Sequence, residues 1–85
     1  MLSELSTRNK IVGIKQLRKA LRDGKAAKVF VAADADPKLT QPILASCQET
    51  GVPVEEVSTM QELGKACEIE VGAAVAALLG EQTNL

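Results

Sequence analysis

Lys28-Val29-Phe30-Val31-Ala32-Ala33 is β-branched, apolar at successive positions and bounded by polar residues. That is the pattern of a strand buried on both faces, not of one alternating between core and water. Asp34-Ala35-Asp36-Pro37-Lys38 then reads as a turn, and Pro42 predicts where the next helix begins, because proline fits only a helix's first turn. With Thr40 as cap, a helix from Gln41 to Thr50 turns Ile43, Leu44 and Cys47 toward the core and stops at Gly51. Val54-Glu55-Glu56-Val57, after Pro53, is a short strand with a polar middle. Strand, helix and strand in this order predict a parallel pair joined by a right-handed crossover, and hence an α/β fold.

Upstream of this unit lies Gly13-Ile14-Lys15-Gln16-Leu17-Arg18-Lys19-Ala20-Leu21-Arg22-Asp23-Gly24. At about 100° per residue, Lys15, Arg18, Lys19 and Arg22 fall within an arc roughly 100° wide, opposite Ile14, Leu17, Ala20 and Leu21. The segment is an amphipathic helix with one apolar face and one cationic face. Gly24 suits the position just past its end, and Ile11-Val12 reads as a brief strand feeding its start, where the first backbone N–H groups lack partners. Ser3 can cap a short helix before that.

Downstream, Thr59-Met60-Gln61-Glu62 has capping-box spacing and opens a helix from Met60 to about Cys67 that buries Leu63, Ala66 and Cys67. Ile69-Glu70-Val71-Gly72 reads as a loop. Ala73-Ala74-Val75-Ala76-Ala77-Leu78-Leu79 fits two descriptions: alanine content favours helix, while a short apolar run between two glycines permits a buried strand. Gly80 to Leu85 is a polar tail.

Eighty-five residues, 46% of them hydrophobic, support one core, so residues 1–85 are expected to form a single domain. No apolar run approaches the roughly 20 residues of a spanning helix, and no secretory signal is visible at Met1-Leu2-Ser3-Glu4-Leu5-Ser6. A cytoplasmic location is the expectation. Cys47 and Cys67 form no CxxC pair, there is no histidine, and neither a metal site nor a cofactor is expected. The two thiols read as buried and reduced. Phosphate-cradling glycine motifs and any nucleophile with a base are also missing, which argues against an enzyme. Asp34 and Asp36 are paired carboxylates, but before a helix they read as caps of backbone groups.

Charge is divided along the chain. Residues 1–28 hold eight Lys/Arg against Glu4 and Asp23, a net +6; residues 29–85 hold Lys38 and Lys65 against nine acids, a net −7. A Lys/Arg face on a helix is ordinarily just solvated. Here Arg8, Lys10, Lys25 and Lys28 cluster around it in sequence, which raises the weight of a polyanion-binding role. Phe30, the sole aromatic, reads as core, since no second ring exists to form a base-stacking platform.

Gly13-x-Lys15-Gln16-x-x-Lys19-Ala20, then Val31-Ala32-Ala33-Asp34-Ala35-Asp36-Pro37, then Glu62-Leu63-Gly64-Lys65-Ala66-Cys67 resemble the kink-turn RNA-binding ribosomal protein family, the "L-seven-Ae" family, in its short bacterial YbxF-type branch. The resemblance runs over roughly residues 8 to 80 in one register. It implies a three-layer α/β/α sandwich around a small mixed sheet, with 73–79 as a strand. It also implies a non-enzymatic bacterial RNA-binding protein, ribosome-associated, that inserts the start of the basic helix beside the tandem sheared G·A pairs of a kink-turn. Carried over, Gly13 allows close backbone approach, Lys15 and Gln16 address guanines, and Lys19 serves the G·A pairs or nearby phosphates. Asp36 orients part of the contact surface, and Ile69, Glu70 and Val71 form the loop under a flipped-out nucleotide. The stripe geometry adds Arg18 and Arg22 as phosphate contacts.

Many members of that family carry Asn-Glu where this chain has Lys15-Gln16. Lysine only donates, toward guanine O6 and N7, so base preference is expected to differ. Met60 stands where many members place a lysine, and Val71 where some place arginine. The expected partner is structured RNA, bound by a monomer. The alternative is a protein-interaction adaptor on the same fold, using the acidic surface of residues 55–70.

Overall fold

The computed structural model describes residues 10–80; the expected Ser3-capped helix, Arg8 and most of the polar tail lie outside that range. Strand β1 (Lys10–Val12) runs into helix α1 (Ile14–Arg22), followed by β2 (Ala26–Ala32), α2 (Pro37–Thr50), β3 (Val54–Val57), α3 (Met60–Ala66) and β4 (Val75–Leu79). The sheet order is β1-β4-β2-β3. β2 and β3 pair in parallel, as the strand-helix-strand order predicts, while β4 is antiparallel to both β1 and β2.

The ambiguous 73–79 segment is therefore a strand near the sheet centre. Val75, Ala76 and Ala77 are fully buried, with Ala76 opposite Phe30 and Ala77 opposite Val29. Alanine's helix preference, a few tenths of a kcal/mol per residue against ordinary residues, is overridden by the ladder bonds and two-sided burial of this slot. Small side chains let helices approach the sheet from both sides.

Alternation along β2 assigns the two layers. Val29 and Val31 face α1 and α2, packing with Leu17, Leu21, Ile43, Cys47, Val75 and Ala77. Phe30 and Ala32 face α3, packing with Val57, Leu63, Cys67 and Ala76. The fold is the α/β/α sandwich with a mixed sheet. Full burial of a leucine or phenylalanine stabilises by about 1.5–3 kcal/mol, so Leu17, Phe30 and Leu63, all at 0% exposure, anchor the two layers.

Helix α2 begins earlier than its proline suggests. Asp36, not Thr40, is its cap: the Asp36 carboxylate accepts the Lys38 N–H at 3.0 Å, and Pro37 occupies the first helical position. Pro42 then sits inside the helix, where its ring removes a bond to the Lys38 carbonyl; both residues face solvent, which can satisfy that oxygen. Thr40 is buried instead, and Leu44 is 37% exposed where a core position was expected. With the helix phase set by Asp36, Ile43 and Cys47 take the inward face and Leu44 falls beside it.

Helix α3 opens on Thr59, whose hydroxyl accepts the Glu62 N–H at 3.0 Å, the threonine half of the expected capping box. The Met60 N–H goes to the carboxylate of Asp34 at 2.8 Å. Both paired aspartates thus cap backbone groups.

Candidate nucleic-acid interface

Strand pairing gathers several connections at one end of the sheet. Val12 lies opposite Ala76 and Val31 opposite Val75 in antiparallel registers, while Ala32 lies opposite Val57 in a parallel one. The end of β1, the end of β2, the end of β3 and the start of β4 therefore coincide. Cross-bonds pin them: the Gly13 N–H donates to the Val75 carbonyl at 3.3 Å, Ala32 N–H to Ala74 at 2.9 Å and Ala33 N–H to Val57 at 2.7 Å. The β1–α1 junction, the β2–α2 turn with Asp34 and Asp36, and the 67–74 loop share this end.

Gly13 makes the β1–α1 junction possible. Its φ of 113° lies where side-chain-bearing residues are strained, and no atom crowds the position where a Cβ would stand, so backbone conformation alone calls for glycine. Being glycine, it offers no side-chain cap, and α1's first turn contains no acidic residue. The first helical bond is from the Leu17 N–H to the Gly13 carbonyl at 3.1 Å. The N–H groups of Ile14, Lys15 and Gln16 precede it and point out of the helix end, which carries a positive partial charge. Lys15 and Gln16 project from that first turn, both exposed.

Arg18, Lys19 and Arg22 continue the exposed face while Leu17, Ala20 and Leu21 are buried, as the helical spacing requires. Arg22 Nε lies 3.9 Å from an Asp23 carboxylate oxygen, a solvent-exposed pair worth little. The other expected basic residues divide. Lys25 lines a small cleft of about 230 Å³ beside α1 with Gln16, Lys19 and Asp23. Lys28 shares its strand face with Phe30, lies 5.0 Å over that ring and pairs with Glu55 at 2.9 Å. It belongs to the α3 side of the sheet. Lys10 alternates with Ile11, which packs on the α1/α2 side, and its charge is felt at Cys67 beneath α3. Lys10 and Lys28 are thus removed from the stripe by strand parity, which sequence proximity hides. The Lys28 pair also takes Glu55 from the acidic surface of residues 55–70.

The 67–74 loop is held against α3. A methyl at Gly64 would overlap the Val71 carbonyl oxygen, and one at Gly72 would come within 3.2 Å of Met60 Cβ. The Ala73 N–H donates to the Met60 carbonyl at 3.0 Å. Within the loop, Ile69 is half-buried against the Phe30–Leu63 cluster, Glu70 is exposed, and Val71 is 70% exposed. Ile69 thus anchors the loop while Val71 presents an apolar tip to solvent. Met60 is also exposed, beside Gly72.

Asp36 reaches this end as the cap of α2, so its carboxylate is engaged with backbone. Two contributors went unassigned in the sequence: Gly64, whose signal is a glycine inside a helical pattern, and the link from Asp34 to Met60, which has no local signal. Among the described residues no group of three or more His, Cys, Asp or Glu is arranged to hold a metal ion, and no helix is long and apolar enough to cross a membrane. Both cysteines are buried and free, and burial pushes their thiols above the ordinary value.

The chain is 48% identical over 69 residues to an RNA-binding protein of Geobacillus thermodenitrificans (strain NG80-2), covering 81% of this chain and 84% of that one. It is 46% identical over 69 residues, with the same coverage, to the RNA-binding protein YbxF of Geobacillus stearothermophilus. Its backbone is similar to that of the Giardia lamblia 15.5kD RNA binding protein, with a TM-score of 0.85 at 29% identity, over 95% of this chain and 69% of that one. Residues 2–84 match the description Ribosomal protein L7Ae/L30e/S12e/Gadd45 family. With that match spanning nearly its whole length and the sheet order and helical layers described above, the chain belongs to the Ribosomal protein L7Ae/L30e/S12e/Gadd45 family.

Proposed function

We propose that this chain is a non-enzymatic RNA-binding protein that captures kink-turn-like internal loops, ribosome-associated and acting in the cytoplasm as a monomer. The observation that carries the reading is the uncapped, acid-free start of α1, flanked by Lys15 and Gln16, at the sheet end it shares with the exposed Val71 loop. Free N–H groups and cations suit phosphates and base-edge acceptors. An apolar tip suits an unstacked base, and RNA proteins characteristically read distorted loops because a regular A-form major groove is too narrow for side chains. The names of the relatives, RNA-binding proteins in each case, support the same class.

In this reading Gly13, Lys15 and Gln16 meet the G·A pairs, and Lys19 lies between bases and phosphates. Arg18 and Arg22 meet phosphates, Asp36 holds the start of α2, and Ile69, Glu70 and Val71 support the extruded nucleotide. The test is a titration into a kink-turn duplex and into a matched duplex without the G·A pairs. Tight binding to the first alone is expected; equal weak binding to both sinks the proposal.

A further inference from the structure

Between α1 and the second half of α2 runs an open groove of about 530 Å³. One wall is the cationic stripe, Lys15, Arg18, Lys19 and Arg22. The other is of different chemistry: Ser46, Glu49 and Thr50 of α2. The Thr50 hydroxyl donates to the Ser46 carbonyl at 2.8 Å, which leaves its oxygen as an acceptor. Glu49 is an acceptor only, standing across from four cations with which it makes no ion pair under 4 Å among the described residues.

A groove meant only for a polyanion gains nothing from a carboxylate, which repels phosphate. A ribose–phosphate strand presents both chemistries: phosphates that accept from cations, and 2′-hydroxyls that donate to a carboxylate or hydroxyl oxygen. The stripe repeats once per helical turn, as Lys15 and Lys19, then Arg18 and Arg22, about 6 Å apart along the axis. That repeat is of the order of one nucleotide step.

We propose that the α1–α2 groove is a second RNA subsite, reading the sugar–phosphate backbone of the stem that leaves the bound internal loop. Phosphates lie along the Arg18, Lys19 and Arg22 part of the α1 wall, beyond the base-reading Lys15, and 2′-hydroxyls lie against the α2 wall, so Glu49 discriminates ribose from deoxyribose. The proposal rests on the kink-turn reading for its RNA, but it concerns residues of α2 that the reading leaves unassigned.

The experiment titrates the full chain into three kink-turn RNAs that share one core: a long all-ribose stem, the same stem with deoxyribose, and a stem trimmed to its first pairs. The wild type binds the long ribose stem about three- to tenfold tighter than either of the others, the scale of one ordinary net hydrogen bond. Glu49→Ala abolishes the ribose preference. Arg22→Ala abolishes the stem-length preference and lowers the salt slope by about one unit. Equal wild-type affinity for all three overturns the groove proposal while leaving core recognition standing. Equal tightening on ribose and deoxyribose stems in Glu49→Ala overturns the role of Glu49, marking it as a repulsive charge only. Binding of the matched control without G·A pairs as tightly as the kink-turn overturns the core reading instead, so the two failures are distinct.

Discussion

The carboxylate of Asp34 accepts the backbone N–H of Met60 at 2.8 Å, joining residues 26 positions apart. The Met60 carbonyl in turn accepts the Ala73 N–H at 3.0 Å. The β2–α2 turn, the start of α3 and the loop before β4 are thereby tied in series at the end of the sheet that carries the candidate interface. Asp34→Ala removes the cap of an otherwise orphaned donor and is expected to lower stability by about 1 kcal/mol, with Asp34→Asn, which keeps an acceptor oxygen, losing less. Denaturant midpoints at unchanged slope measure this. An alanine variant as stable as the wild type would show that water replaces the carboxylate freely.

Gly64 is a helical residue whose Cβ position is taken by the Val71 carbonyl. Alanine would improve helix propensity by about 1 kcal/mol, yet forced displacement of packed backbone typically costs about 1–3 kcal/mol. The overlap is expected to win. Gly64→Ala should be destabilised and should lose RNA affinity as the Ile69–Val71 loop lifts from α3; a variant more stable than wild type would mean that the loop yields without resistance.

Helices α1 and α3 close with the same pair of bonds. Gly24 and Lys25 donate to Leu21 and Ala20 at 3.2 and 2.8 Å; Glu68 and Ile69 donate to Lys65 and Gly64 at 3.0 and 3.1 Å. The left-handed residue is glycine in the first, with φ 70°, and glutamate in the second, with φ 65°. A left-handed conformation costs a side-chain-bearing residue roughly 1–2 kcal/mol. Glu68→Gly is therefore expected to raise stability by about 1 kcal/mol and Gly24→Ala to lower it by a similar amount, both read by thermal and denaturant unfolding. A destabilised Glu68→Gly would reveal a side-chain contribution larger than the backbone strain.

Lys19 and Lys28 separate binding charge from structural charge. Lys19→Ala should weaken RNA binding and reduce the slope of log affinity against log salt by about one unit. Lys28, on the opposite side of the sheet with Phe30 and Glu55, should leave both affinity and slope unchanged when replaced by alanine. Parallel loss in the two variants would contradict the strand parity that divides them.

Cys47 and Cys67 are held protonated by burial, with Lys10 partly offsetting this at Cys67. Their folded pKa values lie above the ordinary 9.0, so the folded state binds these protons more tightly than the unfolded chain. The corresponding stability is complete below the unfolded value and declines as pH rises through 9 toward the folded values. Unfolding free energy measured from pH 7 to 10 should fall at the alkaline end, and a Cys47→Ser variant should show a shallower fall. At neutral pH a disulfide reagent should modify neither thiol until the chain opens.

Much of the architecture was legible in local pattern. The apolar run at Val29–Ala32, the amphipathic spacing of 14–22, and the threonine before Glu62 each specify their element through contacts within a few residues, and each element appears where its pattern predicts. Pro42 and Asp36-Pro37 are competing signals for the start of α2, and the capping bond to the Lys38 N–H decides for Asp36. Of the candidate site, Lys15, Arg18, Lys19 and Arg22 could be read as one exposed face from periodicity alone, and the structure exposes all four; Gln16, also exposed, entered only through the family resemblance.

Amino-acid order by itself determined the α/β class, the apolar faces of the helices and the cationic stripe of α1, because these follow from side-chain periodicity along one element. For Val75–Leu79 the residue pattern allows helix or strand and only the family resemblance implies a strand; the tertiary structure made it one, since the choice depends on ladder partners distant in sequence. The tertiary structure likewise sent Lys10 and Lys28 to the far side of the sheet, bound Asp34 to Met60, and set the α2 wall opposite the stripe. Each of these is a contact between segments whose spacing in the chain carries no periodic signal, and each exists only once the sheet has fixed which ends lie together.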